Sequence, residues 1–335
     1  MTAETLALVW SAVIVLGVVM YVILDGFDLG LGILFPFAPN DQARDTMMTS
    51  VAPVWDGNET WLILGGAALF GAFPVAYSVL LPALYIPVML FLFALVFRGV
   101  AFEFRHKAFR SRFMWSMSFN VGSTVAAFFQ GLILGAFIQG FQVENYEYTG
   151  GLFDWLTPFS VLTGFALVAG YALLGATWMI MKAEGPLQEW CYGVAKKLLF
   201  AVAMAILAVS VWTPLIDSDI AARWFTWPNL LWLSPVPIVT AGVVLALWTS
   251  LQRKAERTPF LYSIGLFLLS FIGLWVSLWP YVVPRAVTIY DASSGVASQV
   301  FLLVGVLILL PLILGYTAYA YWVFRGKTKV DEGYH

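Results

Sequence analysis

The chain has 335 residues, of which 61% are hydrophobic and only 11% charged, with a formal net charge of -2. A soluble domain carries about 25% charged residues, so this composition marks a membrane protein, and without a basic excess it cannot hold nucleic acid. The single cysteine, Cys191, excludes an internal disulfide and any zinc or iron–sulfur site built from several thiolates. Only two histidines occur, His106 in a basic stretch and His335 at the end, so no histidine pair is expected at membrane depth and no metal or haem is expected to be ligated by this chain alone.

A membrane helix needs about 20 mostly apolar residues. In chain order such runs fall at residues 6–35, 60–79, 80–100, 114–141, 155–181, 198–215, 230–251, 260–281 and 296–324. The second and third are separated by little polar sequence and are expected to form a tight hairpin. Residues 1–4 lack a basic segment and the first run is too long for a signal peptide, so no cleavable leader is expected. The stretch between Asp217 and Pro237 is rich in Trp and Pro and suits an interfacial aromatic belt. No repeat or long linker divides the chain, which reads as one domain over residues 1–335.

Charge tests the span count. Of the 17 basic residues, all except Arg223 and Arg285 follow odd-numbered spans, whereas the alternate loops hold Glu144, Glu147, Asp217, Asp219 and Asp291. Basic residues collect in short cytoplasmic loops, so nine spans with Met1 outside and His335 in the cytoplasm satisfy every loop at once.

Ionisable side chains inside apolar runs are expensive and therefore mark function. Asp25 and Asp28 interrupt the first run at an i, i+3 spacing that puts both on one helix face, beside Gly26, Gly30 and Gly32, where another helix can approach closely. Counting from Leu6, Asp25 lies on the order of 28 Å along the helix, in the cytoplasmic half; the alternative is that tilt brings both carboxylates to the interface and they simply end the span. Asp56, Asn58 and Glu59 open the second span between Trp55 and Trp61, next to Pro53 and Gly57, as either a polar notch or, for Asp56, a helix cap. Arg98, Glu103 and Arg105 end the third run and read as an interfacial ion-pair cluster. Asn120, Ser123, Thr124, Gln130 and Gln139 in the fourth run read as interhelical hydrogen-bonding groups, and Cys191 as a free thiol in a cytoplasmic loop.

Four ordered blocks allow a resemblance to be stated. They are Leu-Asp-Gly-Phe-Asp-Leu-Gly at 24–30; Pro-Val-Trp-Asp-Gly-Asn-Glu-Thr-Trp-Leu at 53–62 with Gly-Gly-Ala-Ala-Leu-Phe at 65–70; Phe-Arg-Gly-Val-Ala-Phe-Glu-Phe-Arg at 97–105; and Trp-Pro-Tyr-Val-Val-Pro at 279–284 with Leu-Leu-Val-Gly at 302–305 and Tyr-Thr-Ala-Tyr at 316–319. The sequence resembles subunit II of the cytochrome bd-type quinol oxidases, including the cyanide-insensitive branch, over essentially its whole length.

The resemblance implies an all-α polytopic membrane fold of about nine transmembrane helices, arranged as two four-helix bundles plus one peripheral helix. It implies a haem-free subunit of a quinol:oxygen oxidoreductase in the bacterial inner membrane, inactive alone, with b- and d-type haems in a homologous subunit I. A small single-span accessory subunit and a structurally bound quinone occur in some members, but no residue here transfers the quinone site. Asp25 and Asp56 match motif positions associated with a cytoplasmic proton route, and Asp28, Asn58 and Arg98 match motif positions as well. A cation- or proton-coupled secondary transporter is the rival reading of the acidic first helix.

Overall fold

The computed structural model describes residues 1–108 and 110–328, with His106 described by its backbone alone. Lys329 and His335, which the charge count places in the cytoplasm, therefore lie outside the described residues.

The chain begins with α1 (Ala3–Leu34), capped by the Thr2 hydroxyl, which accepts from the Thr5 amide at 3.2 Å, and extends roughly 48 Å at 1.5 Å per residue. A 3₁₀ turn (Phe35–Phe37) leads to the short α2 (Asp41–Val51), whose Met47, Met48 and Val51 are buried in the main core. Then come α3 (Trp55–Ala72), α4 (Pro74–Ala83), α5 (Tyr85–Lys107) and α6 (Arg112–Gln139), which ends at Gly140 with φ of 71°, a conformation that favours glycine. The hairpin of β1 (Val143–Glu144) and β2 (Glu147–Tyr148) precedes α7 (Pro158–Lys182), opened by Pro158 and a capping box between Thr157 and Ser160. After α8 (Gly185–Ile216), α9 (Ser218–Phe225) and α10 (Asn229–Leu233) come α11 (Pro235–Gln252) and α12 (Thr258–Leu278). A second hairpin, β3 (Tyr281–Val283) with β4 (Val287–Thr288), leads to α13 (Val296–Val323).

Among the described residues, eight helices are each long and apolar enough to cross a membrane, and α3 with α4, which meets the same test as a pair, brings the candidate spans to nine. The pair is bent by 120°, so the expected hairpin at residues 79–80 does not exist. The break lies at Phe73 because Pro74 has no amide hydrogen to continue α3, and its ring fixes the first turn of a new helix. Another difference lies at α8, which begins at Gly185 instead of residue 198. Lys196 and Lys197 are thus helical, and Cys191, expected in a loop, is wholly buried in the core.

α1, α3, α5 and α6 form one bundle and α7, α8, α11 and α12 the other, with α13 on the periphery and few of its side chains buried. The bundles join where α7 packs against α6 and crosses α1. A Cβ on Gly30 would collide with the Tyr171 carbonyl, and one on Gly175 with the backbone of Gly30, so glycine on both helices permits this crossing. One end of the molecule carries α2, Arg105, Arg112, Lys182 and Lys254. The opposite end carries both hairpins, α4, α9 and α10, with the exposed rings of Phe225, Trp227 and Trp232.

Candidate functional site

Asp25 and Asp28 lie within α1, which continues to Leu34, and both are wholly buried; they do not end the span at an interface. Burial demands partners, because an isolated carboxylate in hydrocarbon is prohibitive. Arg98, on α5, supplies the first. Its Nη1 donates to Asp25 Oδ1 at 2.5 Å and its Nη2 to Glu59 Oε2 at 2.8 Å, while its guanidinium lies 5.8 Å from the centre of the Trp55 ring. Arg98 itself is wholly buried, which corrects the expectation of an interfacial residue. The position at the end of an apolar run is the same in both cases; what differs is that the side chain turns inward to Asp25, 73 positions earlier.

A second network abuts the first. Asn58 Nδ2 donates to Asp28 Oδ2 at 2.8 Å, and Asn58 Oδ1 accepts from the Tyr321 hydroxyl at 2.8 Å, so α13 reaches the cluster through one phenol. Asp25 Oδ2, Asp28 Oδ1 and Arg98 Nε are buried with no hydrogen-bond partner among the described residues. Near the same carboxylates the Tyr171 hydroxyl donates to Gln130 Oε1 at 2.9 Å, carrying polar groups further toward the α6–α7 contact.

Of the residues singled out from sequence, the structure thus brings together Asp25, Asp28, Asn58 and Arg98. Asp56 is exposed in the first turn of α3 and belongs to neither network; it makes no side-chain cap. Helical phase explains this, since positions 56 and 58 are about 200° apart and cannot both face α1. Glu59, one position beyond Asn58 and 28% exposed, takes the inward place and forms the rim between the cluster and solvent. That phase was available in the sequence. Tyr321, 263 positions from Asn58, carried no local signal.

Glu103, Arg105 and Asp45 pair outside this cluster. Glu103 is exposed and lies 3.9 Å from Lys107. Arg105 is buried, donates to Asp45 at 2.8 Å and to Ser116 at 3.0 Å, and covers the Phe35 ring. Burial pushes the Asp45 carboxyl up, but hydrogen bonds from Arg112 and Arg105 and their charges outweigh it and hold the group below the usual carboxylate range. In α6, Asn120 donates to the Gly32 carbonyl at 2.9 Å and Gln139 accepts from the Thr157 hydroxyl at 2.5 Å, both between separate segments. Among the described residues, no group of three or more His, Cys, Asp or Glu side chains is placed to hold a metal ion. Cys191, the one thiol, is enclosed by apolar side chains.

The family description "Cytochrome bd terminal oxidase subunit II" matches residues 6–324. The chain belongs to that family. It is similar to the cytochrome bd-I ubiquinol oxidase subunit 2 of Escherichia coli (strain K12), 30% identical over 370 aligned positions that cover 98% of this chain and 97% of that protein. It is also similar to the cytochrome bd ubiquinol oxidase subunit 2 of Bacillus subtilis (strain 168), 28% identical over 334 positions and covering 96% and 97%. In fold it matches the bd oxidase of Geobacillus thermodenitrificans with a TM-score of 0.76 at 18% identity, over 95% of this chain and 98% of that one. As a member of the cytochrome bd subunit II family the chain is a component of an oxidoreductase complex, a terminal oxidase, and a multi-pass protein of the bacterial inner membrane. Family membership does not favour the transporter reading.

Proposed function

We propose that this chain works with a haem-bearing subunit I in oxidising quinol and reducing dioxygen to water, and that its own part is to carry protons from the cytoplasm toward the haems. When bound in the partner, haem supplies the electron and oxygen chemistry; every residue named here belongs to proton movement. The observation that carries the reading is the cluster in which one guanidinium, Arg98, pairs with Asp25 and Glu59 while a third carboxyl group, Asp28, is held only by Asn58, and both buried aspartates keep an oxygen that has no partner among the described residues. Carboxyl groups left over from ion pairing can take up and release protons, and a proton cannot cross hydrocarbon without such groups.

The sequence of groups is ordered by exposure. Asp56 lies in the solvent-exposed first turn of α3, Glu59 is one turn further along, and Asp25 and Asp28 are buried behind it. Arg98 orients Glu59 and Asp25 toward each other, and Asn58 holds Asp28. The cluster lies at the end of the bundle that carries the basic loops, which supports access from the cytoplasm with Met1 on the periplasmic side.

The test is substitution in the assembled oxidase. Asp25→Asn, Asp28→Asn and Asp56→Asn keep the shape of each side chain and remove its proton. Each should preserve assembly and haem content, and Asp25→Asn should slow quinol-driven oxygen consumption most. Full turnover in an assembled Asp25→Asn, Asp28→Asn double variant would overturn the reading. Loss of the complex in either single variant would instead mark these carboxylates as structural.

A further inference from the structure

α13 contributes the Tyr321 hydroxyl to the carboxylate cluster although it is weakly held along its length: its buried side chains are Gln299 and Leu303, near its start, while Phe301, Leu307, Leu312, Tyr316 and Tyr319 are all exposed. One face of α13 packs on the cores through Val306, Leu310, Ile313 and Leu314, and this one-sided packing leaves room for a further constraint on where Tyr321 lies along the helix axis. Its end supplies that constraint. The Lys182 ammonium, only 4% exposed at the end of α7, donates to the carbonyl oxygens of Phe324 and, at 3.1 Å, of Gly326, and lies 4.9 Å from the centre of the Trp178 ring.

The Phe324 carbonyl is at the C-cap of α13 and the Gly326 carbonyl lies two residues beyond it, so a buried cation there satisfies both and complements the helix dipole. The tie is reinforced on both sides: the Thr328 amide donates to the Lys182 carbonyl at 2.8 Å, and Lys327 donates to the Ala183 carbonyl at 3.0 Å and pairs with Glu256 at 2.9 Å. Three residues before Phe324, the Tyr321 ring meets the edges of Trp178 and Phe27.

We propose that Lys182 is a positioning residue for proton delivery. It fixes the end of α13 and thereby holds the Tyr321 hydroxyl on Asn58, which in turn orients Asp28. Lys182 touches no carboxylate of the cluster and acts through the backbone of another helix. This inference rests on the proton-delivery reading above, and its test separates the two.

In the purified oxidase, Lys182→Met keeps the aliphatic stem and removes the ammonium. It should retain haem, turn over on the order of tenfold more slowly, as a displaced proton-handling group does, and speed amide hydrogen exchange across residues 318–326. Tyr321→Phe should slow turnover to a similar extent without changing that exchange. The double variant should be no slower than the slower single, because both substitutions break one chain of contacts. Lys182→Arg should restore both turnover and exchange.

Normal turnover in assembled Lys182→Met, or additive losses in the double variant, would overturn the proposal. If Lys182→Met does not assemble, Lys327→Gln releases only the outer part of the tie and decides the matter: faster exchange with slower turnover supports the positioning role, and neither change overturns it. Slow Asp28→Asn with normal Tyr321→Phe and Lys182→Met would sink this inference alone. Full turnover in the assembled Asp25→Asn, Asp28→Asn double variant would sink the proton-delivery reading, and the exchange measurement would still decide whether Lys182 anchors α13.

Discussion

Replacing Arg98 with glutamine removes the cation that faces Asp25 and Glu59. Asp25 is wholly buried and has no other charge partner among the described salt bridges, so its carboxylate stays in a low-dielectric bundle uncompensated. Breaking a buried ion pair by deleting one partner costs about 3–5 kcal/mol. Glu59 adds little to this, because at 28% exposure it can turn toward water and its attraction to Arg98 is screened. The expected loss is therefore about 3–5 kcal/mol, roughly a hundred- to a few thousand-fold in the folded-to-unfolded ratio at about 1.4 kcal/mol per tenfold. Removing the stranded charge as well, in Arg98→Gln with Asp25→Asn, should bring stability back to within about 1 kcal/mol of the parent, since neutral pairs of similar shape replace buried ion pairs at little cost. Thermal denaturation of the purified complex, followed by subunit retention on size exclusion, measures all four corners of this cycle. The reasoning is refuted if Arg98→Gln is as stable as the parent, or if the double variant is no more stable than Arg98→Gln.

Gly30→Leu should block the α1–α7 crossing and prevent assembly, because the added atoms meet the Tyr171 backbone, which cannot step aside; normal yield of intact complex would contradict that packing. Asp45 has its folded-state pKa depressed, so the stability it lends α2 is fully present above the unfolded value of about 3.9 and is lost as pH falls through the lower folded value. Proteolysis within residues 41–51 should accordingly accelerate as the pH is taken below 4, and Asp45→Asn should show the fast cleavage already at neutral pH. Topology reporters fused after Glu144 should report the periplasm and those after Arg110 the cytoplasm; the reverse pair would remove the cytoplasmic access route. Expressed without its partner, the chain should be colourless, and a stoichiometric Soret band would show haem ligation where none is expected.

Much of this was legible in the residues, and what was not follows a pattern. The helices α1, α6, α7, α12 and α13 lie close to their apolar runs because lipid imposes a length that a window of residues can measure. The inward face of Asp25 and Asp28 was legible from their i, i+3 spacing, since helix geometry alone puts them together. Arg98 was misplaced because hydropathy reports position along a run and not the direction of a side chain, and its partner lies on a different helix. The α3–α4 break was hidden because Pro74 and Pro82 sit in equally apolar surroundings, so no change of polarity marked the turn. Tyr321 and Lys182 act through contacts separated by more than a hundred positions, which no local pattern encodes.

The other end of the bundle bears on energy conservation. Beyond the cluster, α1 carries no carboxyl or basic side chain between Asp25 and Glu4, α3 and α4 none after Glu59, and α6 and α7 none between their terminal residues. That length of α1, about 30 Å at 1.5 Å per residue, instead packs its Leu6, Ala7, Trp10 and Val13 against Ala72, Phe73, Ala76, Val79 and Val283 from the bent pair and the second hairpin. Charge would have to cross this apolar plug with no group to host it, at a prohibitive solvation cost. On the proposed reading the cluster opens to the cytoplasm and hands protons sideways to the partner, while the plug is an insulator toward the far side: a carboxylate introduced into it, at Ala68 or Ala72, would offer a leak through which the membrane would discharge the gradient that respiration builds.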